Sequence, residues 1–426
     1  MSFYICSNCG YGAASWIGRC PGCSQWNTFK RQPDINEKDL PTEKFEMTSF
    51  TKIKSFDKKR LVTNVFEFDR VIGGGFIPGE IILLTGEPGV GKSTLLLQIL
   101  QSLKTLYVSG EESAEQLKDR IDRLGLKEKN LFFTNTREVE AIINGIEQAE
   151  NKFDVLVIDS IQTVYSSSIE GVPGSINQLK ESASRLIDLA KKVNLPIIFI
   201  GHITKEGEIA GPKTLEHMVD VVLSFEGEKI SHFRILRATK NRFGSTDEIG
   251  IFEMTNKGLA EVKNPLAFLD ITKEPASGMA IVGTIEGKRP LFFEIQALAS
   301  PTFLAFPRRI VKGVDYNKIL LLLAVIKKYL GLSLDQLDIY INVVGGVNVK
   351  SPAADLGIIA ALVSSIKNIP IKNKTVFTGE IGLLGEIRKV LFEEKITSEA
   401  RRLGFQKIYS SKNIKTIRDL KKIILP

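Results

Sequence analysis

Apolar residues along this chain come in short unbroken runs: Ile81-Ile82-Leu83-Leu84, Leu106-Tyr107-Val108, Val155-Leu156-Val157-Ile158 and Ile197-Ile198-Phe199-Ile200. Runs of three to five that end in Gly, Ser or Asp mark strands covered on both faces, as in a parallel sheet. Helical stretches such as Leu95-Leu96-Leu97-Gln98-Ile99-Leu100 separate them. Residues 51–262 therefore read as an α/β domain with a doubly wound sheet. Past Val262 the pattern changes to shorter alternating strands and two helical stretches, with FFEIQALAS, ILLLLAVIKKYLGL and GIIAALVSSI as landmarks. That makes 263–426 a second, α+β domain. Residues 31–50 are polar, contain Pro33 and Pro41 and hold no period, so they read as a linker after a small module at 1–30. A length of 426 residues suits this division. No apolar run approaches the ~18 residues a spanning helix needs, and the N-terminus lacks the basic-then-apolar order of a signal peptide. A cytoplasmic protein without a membrane partner is expected.

The run at Ile81 leads into Gly86-Glu87-Pro88-Gly89-Val90-Gly91-Lys92-Ser93-Thr94 and then a helix. Strand, glycine loop and helix in this order form a phosphate cradle, because successive backbone N–H groups and the helix dipole converge on one point. ATP with Mg²⁺ is the expected guest. Lys92 would reach the β- and γ-phosphates, and the Ser93 hydroxyl would ligate the metal. Asp159 closes the third buried run and is expected to hold Mg²⁺, directly or through water. Glu111 and Glu112 follow the second run and are read as opening a helix. A carboxylate beside the γ-phosphate can orient and deprotonate the attacking water. The residues alone leave open which of the pair does so. His202, at the end of the fourth run, is either a sensor of the γ-phosphate or a plain hydrogen-bonded histidine.

All four cysteines lie near the start, as Cys6-Ser-Asn-Cys9 and Cys20-Pro-Gly-Cys23. Two C-x-x-C knuckles at this spacing point four thiolates at one structural Zn²⁺. Trp16, Arg19, Trp26 and Lys30 add aromatic and basic groups, either to contact nucleic acid or a neighbouring domain or, for the two tryptophans, to cover the metal. A formal charge of +8 favours a polyanionic partner only modestly.

The segment Phe68-Asp69-Arg70-Val71-Ile72-Gly-Gly-Gly-Phe76-Ile77-Pro78-Gly79-Glu80 resembles the entry into the glycine loop of RecA-like ATPases. That resemblance implies that Glu111 is the catalytic glutamate. It also implies that the loops at 161–178 and 203–215, with Lys205 and Lys213, hold DNA. Lys240-Asn241-Arg242-Phe243-Gly244, read as a turn between two strands, makes the likeness specific. With the four-cysteine module, GEPGVGKST and VSGEES, the chain resembles the bacterial RadA (Sms) family of DNA repair proteins over essentially its whole length. In related hexameric ATPases a Lys and an Arg in such a turn meet the neighbouring subunit's γ-phosphate, which implies catalytic and DNA-linked roles for Lys240 and Arg242. The family implies a hexameric, DNA-dependent ATPase of helicase type. Its expected work is branch migration on single-stranded and branched DNA beside a RecA-type recombinase.

Residues 263–426 resemble the peptidase domain of Lon proteases. The catalytic Ser position of that domain falls at Ala353 and the Lys position near Glu394, with Ser351 and Lys395 close by in sequence. Proteolysis is therefore not expected. A scaffolding role is, with Lys350, Arg388 and Lys389 as a candidate basic surface. Two rival readings stand beside the motor: an ATP-gated switch of the KaiC type, and an ATP-dependent peptidase.

Overall fold

The computed structural model describes residues 4–31, 47–49, 51, 59–149, 152–202, 212–227, 232–264, 266, 269 and 274–424. The chain divides into two compact units. One comprises Met1–Glu226, Leu236–Thr246 and Asn256–Leu259, the other Gly227–Ile235, Asp247–Thr255 and Ala260–Pro426.

The first unit begins with a three-stranded antiparallel sheet, β1 (Tyr4–Cys6), β2 (Gly12–Ala13) and β3 (Phe29–Arg31), in the order β2-β1-β3. Its core is only Cys6, Cys20 and Phe29 with a few half-buried neighbours. A single central ion is the natural way to hold so small a module together.

The α/β portion follows: α1 (Phe66–Ile72), β4 (Ile81–Gly86), α2 (Lys92–Leu100), β5 (Thr105–Ser109), α3 (Ala114–Leu124), β6 (Leu131–Thr134), α4 (Val139–Gln148), β7 (Val155–Asp159), α5 (Ile176–Val193), β8 (Ile197–His202), α6 (Pro212–Glu216) and β9 (Val221–Glu226). The strands β9-β4-β8-β7-β5-β6 are all parallel. Every residue of β4 and β7 is buried, as their unbroken apolar runs predict. Helix α5 turns Leu179, Ala183, Leu186 and Ala190 onto this sheet at helical spacing, against Ile81, Leu83, Leu156 and Phe199. The register places Ser109 beside Asp159, and Gly86 beside His202. The carboxyl ends of four strands thus share one edge, where doubly wound sheets bind ligands.

Two expectations about local structure are corrected here. Glu111 and Glu112 do not open a helix: Ser113 caps α3 and forms a capping box with Gln116, so the helix starts at Ala114 and both glutamates lie in the preceding turn. The basic turn is likewise shorter than read, because β10 (Phe233–Asn241) already contains Lys240 and Asn241, leaving Arg242–Gly244 in the turn. The strands β11 (Ile249–Thr255) and β12 (Gly258–Glu261) follow.

The second unit is built on a sheet in the order β15-β16-β14-β13-β17-β20, from β13 (Met279–Glu286), β14 (Arg289–Pro301), β15 (Arg309–Lys312), β16 (Leu337–Val343), β17 (Thr375–Phe377) and β20 (Lys407–Tyr409). The helices α7 (Tyr316–Leu330) and α8 (Asp355–Lys367) are the two read from sequence. α8 buries Leu356, Ile359, Ala360 and Val363, in one core with Val282, Phe293, Ile295 and Ile339. A small hairpin, β18 (Glu380–Ile381) and β19 (Ile387–Arg388), precedes two further helices, α9 (Glu393–Arg402) and α10 (Ile417–Ile424). Sequence missed α9 because its apolar stripe is narrow: it buries only Glu393, Ile396, Thr397 and Ala400 in a run dominated by charge.

Glu80, just before β4, is fully buried. Its Oε2 accepts the Ile77 N–H at 2.9 Å, while Oε1 has no hydrogen-bond partner. Burial pushes this carboxyl up to about 7, with Ile77 and Arg60 opposing and Asp220 adding to the shift. The folded chain therefore holds a proton that the unfolded chain releases near pH 4.5, and the stability gained from it is lost as pH rises through about 7. We expect Glu80→Gln to melt with a flatter pH profile between pH 5 and 8. The difference should approach about 3 kcal/mol at the alkaline end. Parallel profiles for the two proteins would show that Glu80 is already ionised.

Candidate nucleotide and zinc sites

The glycine loop runs from the tip of β4 to the start of α2. Gly86 is required by close packing, since a Cβ there would sit 2.4 Å from the Phe225 carbonyl oxygen. Glu87, Pro88 and Gly89 are exposed at the crest, Val90 is buried beneath them, and Ser93 and Thr94 are half-buried in the first turn of α2. Lys92 is buried, and its ammonium donates to the Gly86 and Glu87 carbonyls at 2.8 and 3.1 Å. The ammonium thus lies folded across the cradle that a phosphate would fill. Burial lowers the Lys92 pKa, and the charges of Asp159 and Glu111 oppose that shift.

Around this loop the structure brings together three of the other residues predicted from sequence. The Ser93 hydroxyl donates to Asp159 Oδ2 at 3.2 Å, placing two hard oxygen donors side by side as Mg²⁺ prefers. Asp159 is buried, and its pKa is raised chiefly by that burial, against the hydrogen bond from Tyr107. Glu111 accepts the Ser160 hydroxyl at 2.6 Å, so its carboxylate lies next to the tip of β7. Glu112 is turned the other way. Both its oxygens are taken by Arg120 of α3, at 2.9 and 2.6 Å.

Sequence reasoning missed Tyr107, whose hydroxyl donates to Asp159 Oδ2 from the neighbouring strand. Inside a buried run it reads simply as an apolar residue. Arg60 was missed as well. Its guanidinium donates to the Gly75 carbonyl at 3.1 Å and the Phe243 carbonyl at 2.8 Å, tying the basic turn to the glycines before β4. Gly244 makes this approach possible, because a Cβ there would lie 3.3 Å from the Gly73 Cα and 2.9 Å from the Asn241 amide nitrogen.

Lys240 and Arg242 stand apart from the phosphate cradle of their own chain. The Lys240 ammonium donates to the Glu216 and Val219 carbonyls, both at 2.7 Å, where α6 ends. Arg242 pairs with Asp220 at 3.1 Å. Lys213 belongs to α6, while Lys205 lies outside the described residues. His202 ends β8 beside Gly86.

In the ribbon, the Cys6 and Cys23 sulfurs are 3.7 Å apart and those of Cys9 and Cys20 are 3.4 Å apart, with all four within 4.8 Å of one another. Tetrahedral Zn²⁺ with sulfurs at about 2.3 Å requires edges of about 3.8 Å. The four cysteines fit zinc, and they leave no ligand position open for catalysis.

Three family models match parts of the chain: residues 4–31 match a rubredoxin metal binding domain, 61–208 an AAA domain, and 321–413 the subunit ChlI of Mg-chelatase. The DNA repair protein RadA of Listeria monocytogenes is 45% identical over 421 residues, spanning 96% of this chain and 92% of the relative. The chain belongs to the RadA family of DNA repair proteins. The RadA protein of Bacillus subtilis is 44% identical over 422 residues, with the same coverage. Among solved structures, the RadB recombinase overlaps 47% of this chain and 99% of its own, at 25% identity and a TM-score of 0.39.

In the second unit of this RadA-family chain, Ala353, the position expected from the Lon resemblance to be that of the nucleophile, is buried beside Phe292 and Val376. The Ser351 hydroxyl accepts the Ala353 N–H, and the Lys395 ammonium donates to the Lys288 carbonyl, so neither bond links the two side chains. Glu394 pairs with Lys412 and Lys389. Arg388 is held by Glu386, so of the three candidate basic residues two are in ion pairs and Lys350 stands exposed. No helix among the described residues is long and apolar enough to cross a membrane.

Proposed function

We propose that this RadA-family chain is a Mg²⁺-dependent, DNA-stimulated ATPase of helicase type. As a hexameric ring it would move single-stranded DNA and drive branch migration of recombination intermediates beside a RecA-type recombinase. The observation that carries this reading is the convergence of Lys92, Ser93, Asp159 and Glu111 on the open end of one glycine loop. In this account Lys92 exchanges its two carbonyl acceptors for the β- and γ-phosphates, a stronger charge-assisted contact. Ser93 and Asp159 hold Mg²⁺, which supplies charge neutralisation at the phosphates. Glu111 takes the proton of the attacking water.

Lys240 and Arg242 act on the next subunit's nucleotide. The Arg242 side chain is exposed while its partner Asp220 is mostly buried, and on release of the pair Asp220 still accepts the Ile81 N–H at 3.1 Å. Lys240 gives up two neutral acceptors for a polyanion. Because it caps the end of α6, which follows Lys205 closely in sequence, that release would connect a neighbour's phosphate to the residues proposed to meet DNA. Lys205 and Lys213 contact DNA phosphates, contributing affinity without sequence preference.

Mixing subunits tests the trans assignment. Lys92→Ala and Arg242→Ala proteins are each expected to be inactive alone, and their mixture is expected to recover part of the ATP turnover, since some interfaces then pair an intact loop with an intact arginine. Failure of the mixture to exceed either parent would contradict action across a subunit boundary. Peptide cleavage is not expected, because Ala353 offers no nucleophile.

A further inference from the structure

The zinc ribbon carries Trp16 and Trp26, the two tryptophans of the chain, and neither belongs to its core. The apolar centre is Cys6, Cys20 and Phe29, with Tyr4, Ala13 and Ile17 packed against it. Trp16 is 54% exposed and Trp26 68%. A module with so little core nevertheless leaves its two largest apolar side chains in water, so they do not serve to cover the metal. Large exposed apolar groups of this kind mark interaction surfaces.

The surface is held in shape by the second cysteine knuckle. Arg19 and Trp26 form an antiparallel bridge, and the Asn27 N–H donates to the Gly18 carbonyl at 2.7 Å. The Arg19 guanidinium lies 5.9 Å from the centre of the Trp26 ring, and its Nε donates to the Ser24 carbonyl at 3.1 Å. Gly18 sits between the indoles: a methyl there would be 3.7 Å from Trp16 and 3.8 Å from Trp26. The two rings therefore border one patch, with the exposed Arg19 beside them. Residues 4–31 contain no acidic residue, and Arg19 is the cation that borders the rings, whereas Lys30 is paired with Glu170.

We propose that Trp16 and Trp26, with Arg19, form a stacking platform for the unpaired bases of single-stranded DNA. Every base has a π face, so such a platform binds without regard to sequence, while the neighbouring cation meets the backbone phosphates. The inference rests on the reading that this chain binds single-stranded DNA, and it adds a contact separate from the loops of the ATPase domain.

Intrinsic fluorescence reads this patch alone, because both tryptophans of the chain lie in it. The full-length, zinc-loaded protein is titrated with an oligothymidine strand, following tryptophan emission, while the anisotropy of the same strand carrying a dye follows binding. Emission is expected to be quenched in step with binding. Trp16→Ala and Trp26→Ala should each weaken binding by about 5-fold or more, and Trp26→Phe should retain most of it. A strand of abasic sites should bind more weakly and without quenching. Each variant should keep its zinc and its ATP turnover in the absence of DNA. Binding with unchanged emission, or wild-type affinity in both zinc-loaded alanine variants, would overturn the platform and assign the tryptophans to a protein partner. Absence of any anisotropy change would overturn the DNA-binding reading itself, and the platform with it.

Discussion

Glu111→Gln should lower the turnover number for ATP by about 10²–10⁴-fold, the usual contribution of a positioned general base, while leaving nucleotide affinity near that of the parent. The amide oxygen of Gln can still accept the Ser160 hydroxyl that Glu111 Oε1 accepts at 2.6 Å, so the turn should keep its shape. What is lost is the negative charge and proton affinity beside Lys92 and Asp159. Glu112→Gln is the matched control, since it changes the same chemistry one residue along. Its parent carboxylate is committed to Arg120, and that pair is partly exposed. The substitution should cost stability on the order of 1 kcal/mol and leave turnover within a few-fold. Steady-state hydrolysis with a fluorescent-nucleotide binding assay separates the two variants. Loss of turnover in Glu112→Gln with activity kept in Glu111→Gln would reverse the assignment.

Cys9→Ser should remove zinc from the protein and unfold the ribbon without unfolding the rest. Three thiolates and a hydroxyl make a much poorer site for zinc, and the module's core of Cys6, Cys20 and Phe29 cannot sustain three short strands unaided. Structural zinc in comparable small modules contributes about 10–16 kcal/mol of folding free energy, so the loss is not a marginal one. The α/β sheet packs on a separate core of Ile81, Leu83, Leu156, Ile158 and Phe199, which does not depend on the metal. The expected result is little or no zinc by atomic absorption, altered tryptophan emission from the ribbon, and an ATPase domain that still melts cooperatively and hydrolyses ATP. Full zinc content in the Cys9→Ser protein would contradict the four-thiolate site.

The parts of the site legible in the sequence are those whose chemistry is local. GEPGVGKST declares itself because loop, lysine and hydroxyl are contiguous, and the cysteine knuckles because their spacing alone turns the sulfurs inward. Many buried strands end in Asp without a function, and Asp159 is legible because its strand follows the glycine loop at the distance such sites use. The choice between Glu111 and Glu112 was not legible, since adjacent identical residues differ only in direction. The structure separates them through Arg120, which reaches back from the following helix, and through Ser160, which comes from another strand. Tyr107 was hidden by its apolar surroundings, and Arg60 by lying far in sequence from the Phe243 carbonyl it binds. The tryptophans could be placed in the ribbon but not on its surface, because composition says nothing about which apolar residues a very small core leaves out. α9 escaped notice for the opposite reason: its few inward residues are outnumbered by charge.

The most direct test of the account is ATP hydrolysis by the intact protein in Mg²⁺, with and without single-stranded DNA, beside the Lys92→Ala variant. Single-stranded DNA should stimulate turnover, and Lys92→Ala should abolish it in both conditions, because one phosphate cradle supplies all of it. Turnover indifferent to DNA would contradict the motor and favour an ATP-gated switch, and turnover that survived Lys92→Ala would place the chemistry outside this loop altogether.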